Sequence, residues 1–446
     1  MASSRKSKSD DLLARAAGAL APAVPAGSSI LLGLSGGADS VVLLHLLARL
    51  ASRHSWRLSA LHVHHGISPH ADAWAVFCRT LCAQYDIPLQ IERVDIAPLR
   101  EMGVEAAARE LRHAALARQR ADFIALAHHR DDQAETLLLQ LLRGAGVKGV
   151  AAMAALQPRP GMPALLRPLL GATRAELLAY AAQHQLQWVD DESNADDRYP
   201  RNYLRHRVLP LLERRFPAYR DTLARSARHF AEAAALLDQL AQQDMQGALH
   251  DGGLEVARLR ALDAARGRNL LRYFITRHGA PLPESVRLDE MLRQLCAARS
   301  DAALQVAFGN WRIGRFQGRA YVLAELPQPP ADFCRAWHGE PELALPELGG
   351  ILRFTRQAGQ GISPAKIADG LTVHLRRGAE RLRPDAQRPS RTLKNLLQEC
   401  GVPPWRRDAL PLLYCGATLV AVPGIGVDSA FQAAAGEQGV AVEWLA

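Results

Sequence analysis

The sequence predicts an α/β fold. A doubly wound parallel sheet fills residues 1–217, a helical middle domain follows at 218–326, and a small mixed α+β C-terminal domain occupies 340–446. Three observations carry this reading. Strand-like and helix-like runs alternate through the first 145 residues, a glycine-rich loop joins the first strand to the helix after it, and beyond residue 218 the pattern turns to long Ala/Leu/Arg-rich helices. Strict alternation of strand and helix belongs to parallel sheets with helices on both faces.

The strands are placed at 29–34, 57–63, 88–94 and 122–127, and the helices at 39–52, 71–85, 104–119 and 131–142. A tail at 1–9 and a first helix at 10–20 precede them. Together these resemble a secretory leader, with Arg5, Lys6 and Lys8 ahead of an Ala/Leu-rich run, but Asp10, Asp11 and Arg15 interrupt the apolar stretch. Residues 150–215 are irregular, with Pro158, Pro160, Pro163 and Pro168, until Arg201-Asn202-Tyr203-Leu204-Arg205 opens a helix. Residues 303–325 read as a hairpin turning at Gly309-Asn310. Pro327, Pro329 and Pro330 mark a linker across which few contacts should pass. The last segment shows short strands, Gly/Pro turns and one helix near 390–400.

Of 446 residues, 54 are Lys or Arg and 45 Asp or Glu, a net charge of +9 that favours a polyanionic partner. The six cysteines, Cys78, Cys82, Cys296, Cys334, Cys400 and Cys415, form no Cys-x-x-Cys pair, which fits buried thiols in a reducing cytoplasm rather than a metal or disulfide framework. No apolar run is long and clean enough to span a membrane.

The chemistry concentrates where a parallel sheet places ligands, beyond the carboxyl ends of its strands. Ser35-Gly36-Gly37-Ala38-Asp39-Ser40 lies between the apolar run Ile30–Leu34 and a helix. Such a junction gathers free backbone N–H groups and the positive end of a helix dipole, and the serines add hydroxyl donors. Asp39 would repel a phosphate unless a cation lay between them, so the loop points to a nucleotide with Mg²⁺. It lacks the Gly-Lys-Ser/Thr ending of a Walker loop. His128-His129-Arg130-Asp131-Asp132-Gln133-Ala134-Glu135-Thr136 runs from a strand end into a helix. Asp131 and Asp132 can hold Mg²⁺, orient an ammonium substrate or take its proton, and spacing does not choose among these. Arg109 and Arg112 share one helix face, suited to a solvated surface or to neutralising phosphate. His64-His65-Gly66 has no ligand company for zinc, and Arg143-Gly144-Ala145-Gly146 fits a helix stop.

The loop resembles the PP-loop of the ATP pyrophosphatases. In order and spacing the whole set resembles the tRNA(Ile)-lysidine synthetases: SGGADS, HHG at 64–66, the Glu105–Arg112 helix, HHRDDQAET at 128–136, RGAG at 143–146, Arg167-Pro168-Leu169-Leu170, Asp191–Asn194 and Arg201-Asn202-x-x-Arg205. Downstream, Arg376–Leu382, Leu393–Glu399 and Val402–Arg406 resemble the family's tRNA-binding C-terminal domain. One departure is Gly378-Ala379-Glu380, where Gly-Asp is common. The resemblance implies an ATP- and Mg²⁺-dependent ligase that joins L-lysine to C2 of the wobble cytidine of a CAU-anticodon tRNA(Ile). The base is first adenylated with loss of pyrophosphate, and the amine then displaces AMP. It implies ATP at Ser35, Gly36, Gly37, Ala38, Asp39 and Ser40, with the metal at Asp39. Lysine recognition or deprotonation falls to Asp131 and Asp132, and charge stabilisation or tRNA contact to Arg109, Arg112 and Arg205. A cytoplasmic monomer or homodimer is expected. Thiolating PP-loop enzymes use catalytic cysteines or an iron–sulfur cluster, which the missing Cys-x-x-Cys disfavours.

The basic stretch at 376–407 stands on its own as a candidate grip on the tRNA backbone. Arg376, Arg377, Arg381, Arg391, Lys394 and Arg406 supply charge, and Trp405 sits among them.

Overall fold

The computed structural model describes residues 8–159, 161–299, 304–325, 330, 332–368 and 370–445. Most of the predicted tail at 1–9, with Pro160, Pro327 and Pro329, lies outside them. The chain divides into two compact units, Met1–Leu237 and Asp238–Ala446, and the boundary falls inside the helix Tyr219–Met245.

The first unit runs α1 (Lys8–Leu20), β1 (Ser29–Gly33), α2 (Ala38–His54), β2 (Arg57–His64), α3 (Ala71–Gln84), β3 (Leu89–Arg93), α4 (Val104–Ala117), β4 (Phe123–Ala125), α5 (Arg130–Leu142), α6 (Val147–Val150), β5 (Leu156–Arg159), β6 (Met162–Leu166), α7 (Arg174–Gln183), α8 (Pro200–Tyr203), α9 (Leu209–Arg215) and α10 (Tyr219–Met245). Its sheet has the order β3-β2-β1-β4-β6-β5, parallel throughout except for the β5–β6 pair at the edge. β1 alternates between two cores. Ile30 and Leu32 join Val42, Leu46 and Trp56 on one face, while Leu31 packs with Leu61, Leu116, Ile124 and Leu165 on the other. Burial on both faces is what a doubly wound parallel sheet requires.

The four predicted strands and four predicted helices of this sheet are present. β5 and β6 were not read in advance, because Pro158, Pro160 and Pro163 interrupt the strand pattern there. β5 takes the antiparallel edge, which tolerates Pro158, and Pro163 stands just ahead of the β4–β6 pairing, which begins at Ala164.

The second unit opens with β7 (Leu249–His250), β8 (Gly253–Glu255), α11 (Val256–Ala261), α12 (Ala264–Arg277), α13 (Ser285–Ala297), β9 (Gln305–Phe308), β10 (Trp311–Phe316) and β11 (Arg319–Ala324). The predicted helices pack on an antiparallel sheet of order β7-β8-β11-β10-β9 around Leu270, Leu271, Phe274, Met291 and Ile313. The Gly309-Asn310 turn joins β9 to β10, as the sequence indicated. Two antiparallel sheets follow, built on Cys334–Trp337, Leu371–His374, Leu412–Cys415, Thr418–Val422 and Gly426–Val427, and on Glu342–Leu345, Gly350–Ala358 and Gln438–Leu445. They enclose a separate core around Leu352, Ile362, Val373 and Val420. The helices α14 (Leu393–Glu399) and α15 (Pro404–Arg407) carry Lys394, Arg406 and Arg407 of the basic stretch, whose other arginines precede them. Among the described residues no helix is long and apolar enough to cross a membrane.

Candidate active site

β1 delivers the loop at 35–37 straight into α2. Gly36 has φ +90, and a Cβ there would lie 2.9 Å from the Val189 side chain and 3.2 Å from Cys78 Sγ. Both conformation and space demand glycine at this position. Gly37 differs: its φ is −72 and a Cβ would meet Ser35 Oγ at an ordinary 3.6 Å, so it serves as an open N-cap with no side chain over the helix end. Ser40 Oγ accepts from Gly36 N at 3.1 Å and donates to Gly37 O at 2.9 Å, holding the turn in shape. Val189 N donates to Gly36 O at 3.0 Å, tying the segment before Asp190 to the loop.

α5 begins beyond the end of β4, the strand next to β1. Its N-cap, His129, is 2 % exposed and stands among three carboxylates: Asp39 at 3.5 Å, Asp132 at 3.5 Å and Asp131 at 3.6 Å. Burial pulls its pKa down, but the hydrogen bond to Asp39 and the three negative charges outweigh that and raise it above the usual value. Asp39 keeps one buried oxygen, Oδ1, with no hydrogen-bond partner. Asp131 has both oxygens engaged: Arg220 Nε donates to Oδ1 at 2.5 Å and Arg174 N to Oδ2 at 2.9 Å. Asp132 accepts from Arg201 at 2.6 Å and from His129 N at 2.8 Å. Burial raises the Asp132 carboxyl, yet His129 and Arg201 hold it below the ordinary carboxylate range.

One turn into α5, Glu135 is 1 % exposed and takes bonds from Arg201 Nε at 2.6 Å and from Arg205 Nε and Nη2 at 2.7 and 2.9 Å. Both arginines reach it because α8 passes into a π-helical turn at Leu204–Val208 before α9. Pro210 supplies a local cause, since it lacks the N–H that an α-helical turn would use there. Arg205 was placed by the sequence among charge-stabilising residues, and the structure pairs it with Glu135. Glu135, His129 and Arg220 were not singled out. Arg201 was quoted only as part of a motif, although its one-turn spacing from Arg205 signalled a shared target.

Arg109 and Arg112 lie on the exposed face of α4. Their field is felt at the strand ends. Burial and the charge of Arg112 push His65 down to about 4. His128 falls to about 3, mostly through burial, with Arg167, Arg201 and Arg109 lowering it further against Asp132. Arg167 is itself lowered to about 10 by burial and by Arg109 and Arg159. His65 Nδ1, His128 Nδ1 and Arg167 Nε are buried without a hydrogen-bond partner. A cationic field around neutral imidazoles is an environment for an incoming anion. Cys78 and Cys82 lie in the core, and burial pushes their thiols up to about 12 and about 11, so they are inert.

In the second unit, several predicted cations are held by local partners. Arg391 pairs with Glu399, Arg381 donates to Ser390 O at 2.5 Å, and Arg376 lies 3.8 Å from Glu380. Glu380 also accepts from Gly378 N at 3.0 Å, closing the turn where the sequence departs from its family. Arg377, Lys394 and Arg406 are exposed. Trp405 is not an open member of this surface: it is half-buried against Phe316 and Tyr321.

Comparison with known proteins places these features in context. Family models match as a PP-loop domain at residues 10–212, a TilS substrate binding domain at 254–321 and a TilS substrate C-terminal domain at 371–444. The tRNA(Ile)-lysidine synthase of Nitrosomonas europaea is 46% identical over 423 residues, covering 94% of this chain and 92% of that protein. Those of an Azoarcus species and of Coxiella burnetii are 43% and 40% identical, each covering 93% or more of both chains.

Three outcomes follow from the geometry. Gly36→Ala should destabilise the first unit by about 1–3 kcal/mol in urea titrations, with Gly37→Ala much milder. Glu135→Gln leaves two half-buried guanidiniums without their shared carboxylate, Arg201 keeping Asp132, and should cost about 2–3 kcal/mol. His65 has a depressed folded pKa, so the unfolded chain binds the extra proton between about 4 and 6.5. Stability at this site is therefore full above that window and lost as pH falls through it. Thermal melts of His65→Asn should show a flatter decline from pH 7 to 5 than the parent chain.

Proposed function

The chain belongs to the tRNA(Ile)-lysidine synthase family, and from that premise we propose how its residues divide the reaction. It is an ATP-using ligase that forms lysidine on tRNA(Ile). The cytidine O2 attacks the α-phosphate of ATP and pyrophosphate leaves. The neutral ε-amine of L-lysine then attacks C2, and AMP departs carrying the former carbonyl oxygen. The wobble base must leave its stack to reach these groups.

ATP is assigned to the 35–40 loop, whose open helix N-terminus and serine hydroxyls suit a triphosphate. The buried, unpartnered Asp39 Oδ1 fits a Mg²⁺ ligand. Among the described residues no group of three or more His, Cys, Asp or Glu could hold a metal. When bound, Mg²⁺ would neutralise phosphate charge beside that carboxylate. Arg109 and Arg112, with Arg167 behind them, are assigned to the anionic side of the reaction. The convergence of Asp39, Asp131 and Asp132 on His129 is the observation that carries the lysine assignment: it gathers three carboxylates beside the loop, two of them already engaged by Arg220 and Arg201 and one, Asp39, with an oxygen still unpartnered. With its carboxyl held low, Asp132 suits holding an ammonium more than removing its proton. Arg205, buried beside Glu135 and Asp132, is assigned to keeping that cluster in place near the reacting groups. The exposed cations Arg377, Lys394 and Arg406 are assigned to the tRNA backbone, in a cytoplasmic enzyme of three modules.

Incubation with ATP, Mg²⁺, L-lysine and CAU-anticodon tRNA(Ile) should yield lysidine by nucleoside mass spectrometry, with AMP and pyrophosphate in equal amounts. Release of ADP and phosphate would refute the scheme. Asp39→Asn should cut pyrophosphate release at least a hundredfold while tRNA affinity in a filter-binding assay stays within about twofold, since one charge at the loop leaves the second unit's basic surface intact.

A further inference from the structure

Trp405 is the one aromatic residue in the basic stretch at 376–407. Its surroundings explain an otherwise awkward glycine. Gly314 lies within β10, paired with Tyr321 on one side and Gln305 on the other. A glycine inside a strand weakens it and calls for a reason. Backbone conformation is not that reason, because Gly314 is not among the residues with positive φ. Space is. A Cβ on Gly314 would lie 2.9 Å from Cζ3 and 3.1 Å from Cη2 of the Trp405 indole. The ring sits in the notch that the missing side chain leaves, with Tyr321 at 5.5 Å and Phe316 at 6.1 Å between centroids. Tyr321 in turn covers Gly253, where a Cβ would come within 2.6 Å of Cζ. Two strand glycines thus lie under two aromatic rings.

The approach of α15 is also fixed. Gly401 turns the chain at φ +68 close to the Gln317 side chain, and Arg407 Nε donates to Val402 O at 2.8 Å. Contacts therefore do cross the proline-rich stretch at 327–330, contrary to the sequence expectation.

We infer that Trp405 is an internal docking key. It seats the C-terminal module on the β10–β11 hairpin and thereby fixes where Lys394 and Arg406 are presented to tRNA. It is a positioning residue that acts through those cations. The inference rests on reading that surface as the tRNA grip.

The test uses the full chain and four variants: Trp405→Ala, Trp405→Phe, Gly314→Ala and the double Gly314→Ala/Trp405→Ala. Both single alanine variants should raise the KM for tRNA(Ile) about tenfold, with the KM for ATP and kcat at saturating tRNA unchanged. Trp405→Phe should keep most of the affinity. The double variant should be no worse than either single, because the added methyl has no ring left to displace. Small-angle scattering should show a larger radius of gyration for both single alanine variants and not for Trp405→Phe. If Trp405→Ala weakens tRNA binding while Gly314→Ala does not, the indole meets RNA itself and the proposal is overturned. An unchanged radius of gyration in both overturns it as well, whatever the RNA does. Lys394→Ala with Arg406→Ala tests the grip separately: unchanged tRNA affinity there removes the grip reading, and the scattering still decides the key.

Discussion

The buried ion cluster joining α5 to the turn at 201–205 is the constraint on which the site depends. Glu135 and Asp132, nearly closed to water, together bind the half-buried Arg201 and Arg205. Buried charges are tolerable only when paired and hydrogen-bonded, and here two carboxylates meet two forked guanidiniums. The cluster fixes the start of α5, and α5 fixes His129 and the acidic point beside the nucleotide loop. A second pairing, Arg220 with Asp131 and Arg130 with Asp221, fastens the first turn of α10 to the same helix start. Asp131 and Asp132 are adjacent in sequence but serve different neighbours, one tying helices together and the other backing the imidazole.

The charges sort themselves across the carboxyl edge of the sheet. Around His129 three carboxylates gather, and around His65 and His128 burial, reinforced by nearby arginines, keeps both rings neutral. A reaction that takes an anionic nucleotide and a cationic amino acid needs such a division. A site of uniform sign would admit one substrate and repel the other.

The second unit applies a different economy to its arginines. Many of the cations that make the stretch at 376–407 look uniformly basic are spent on turns and helix ends nearby, as with Arg391 on Glu399 and Arg383 on Ser429. Fewer side chains remain to meet a polyanion than the raw count implies. The aromatic in the stretch packs on glycine rather than standing open.

The parallel sheet was legible in the sequence because its signals are local. Apolar runs of strand length, helical periodicity and a Gly-Gly turn each occupy a few consecutive residues, and β1 to β4 with α2 to α5 follow from them. The phosphate loop, Asp39 and the Asp131-Asp132 pair were legible for the same reason. Three things came only with the tertiary structure. Proline-bearing β5 forms a strand because the sheet offers it an edge, and β6 forms one between β4 and β5 because Pro163 precedes its pairing with β4. Glu135 and Arg201 are 66 residues apart, and no local pattern marks two residues as one ion pair. Gly314 carries no signal of its own within the predicted hairpin, and Trp405 is read with the basic stretch, until their packing joins them. Sequence determined which backbone segments form and marked a candidate site for an anion. Only the folded chain decided which charges are consumed by one another and which remain for substrates, because that depends on distances between residues far apart along the chain.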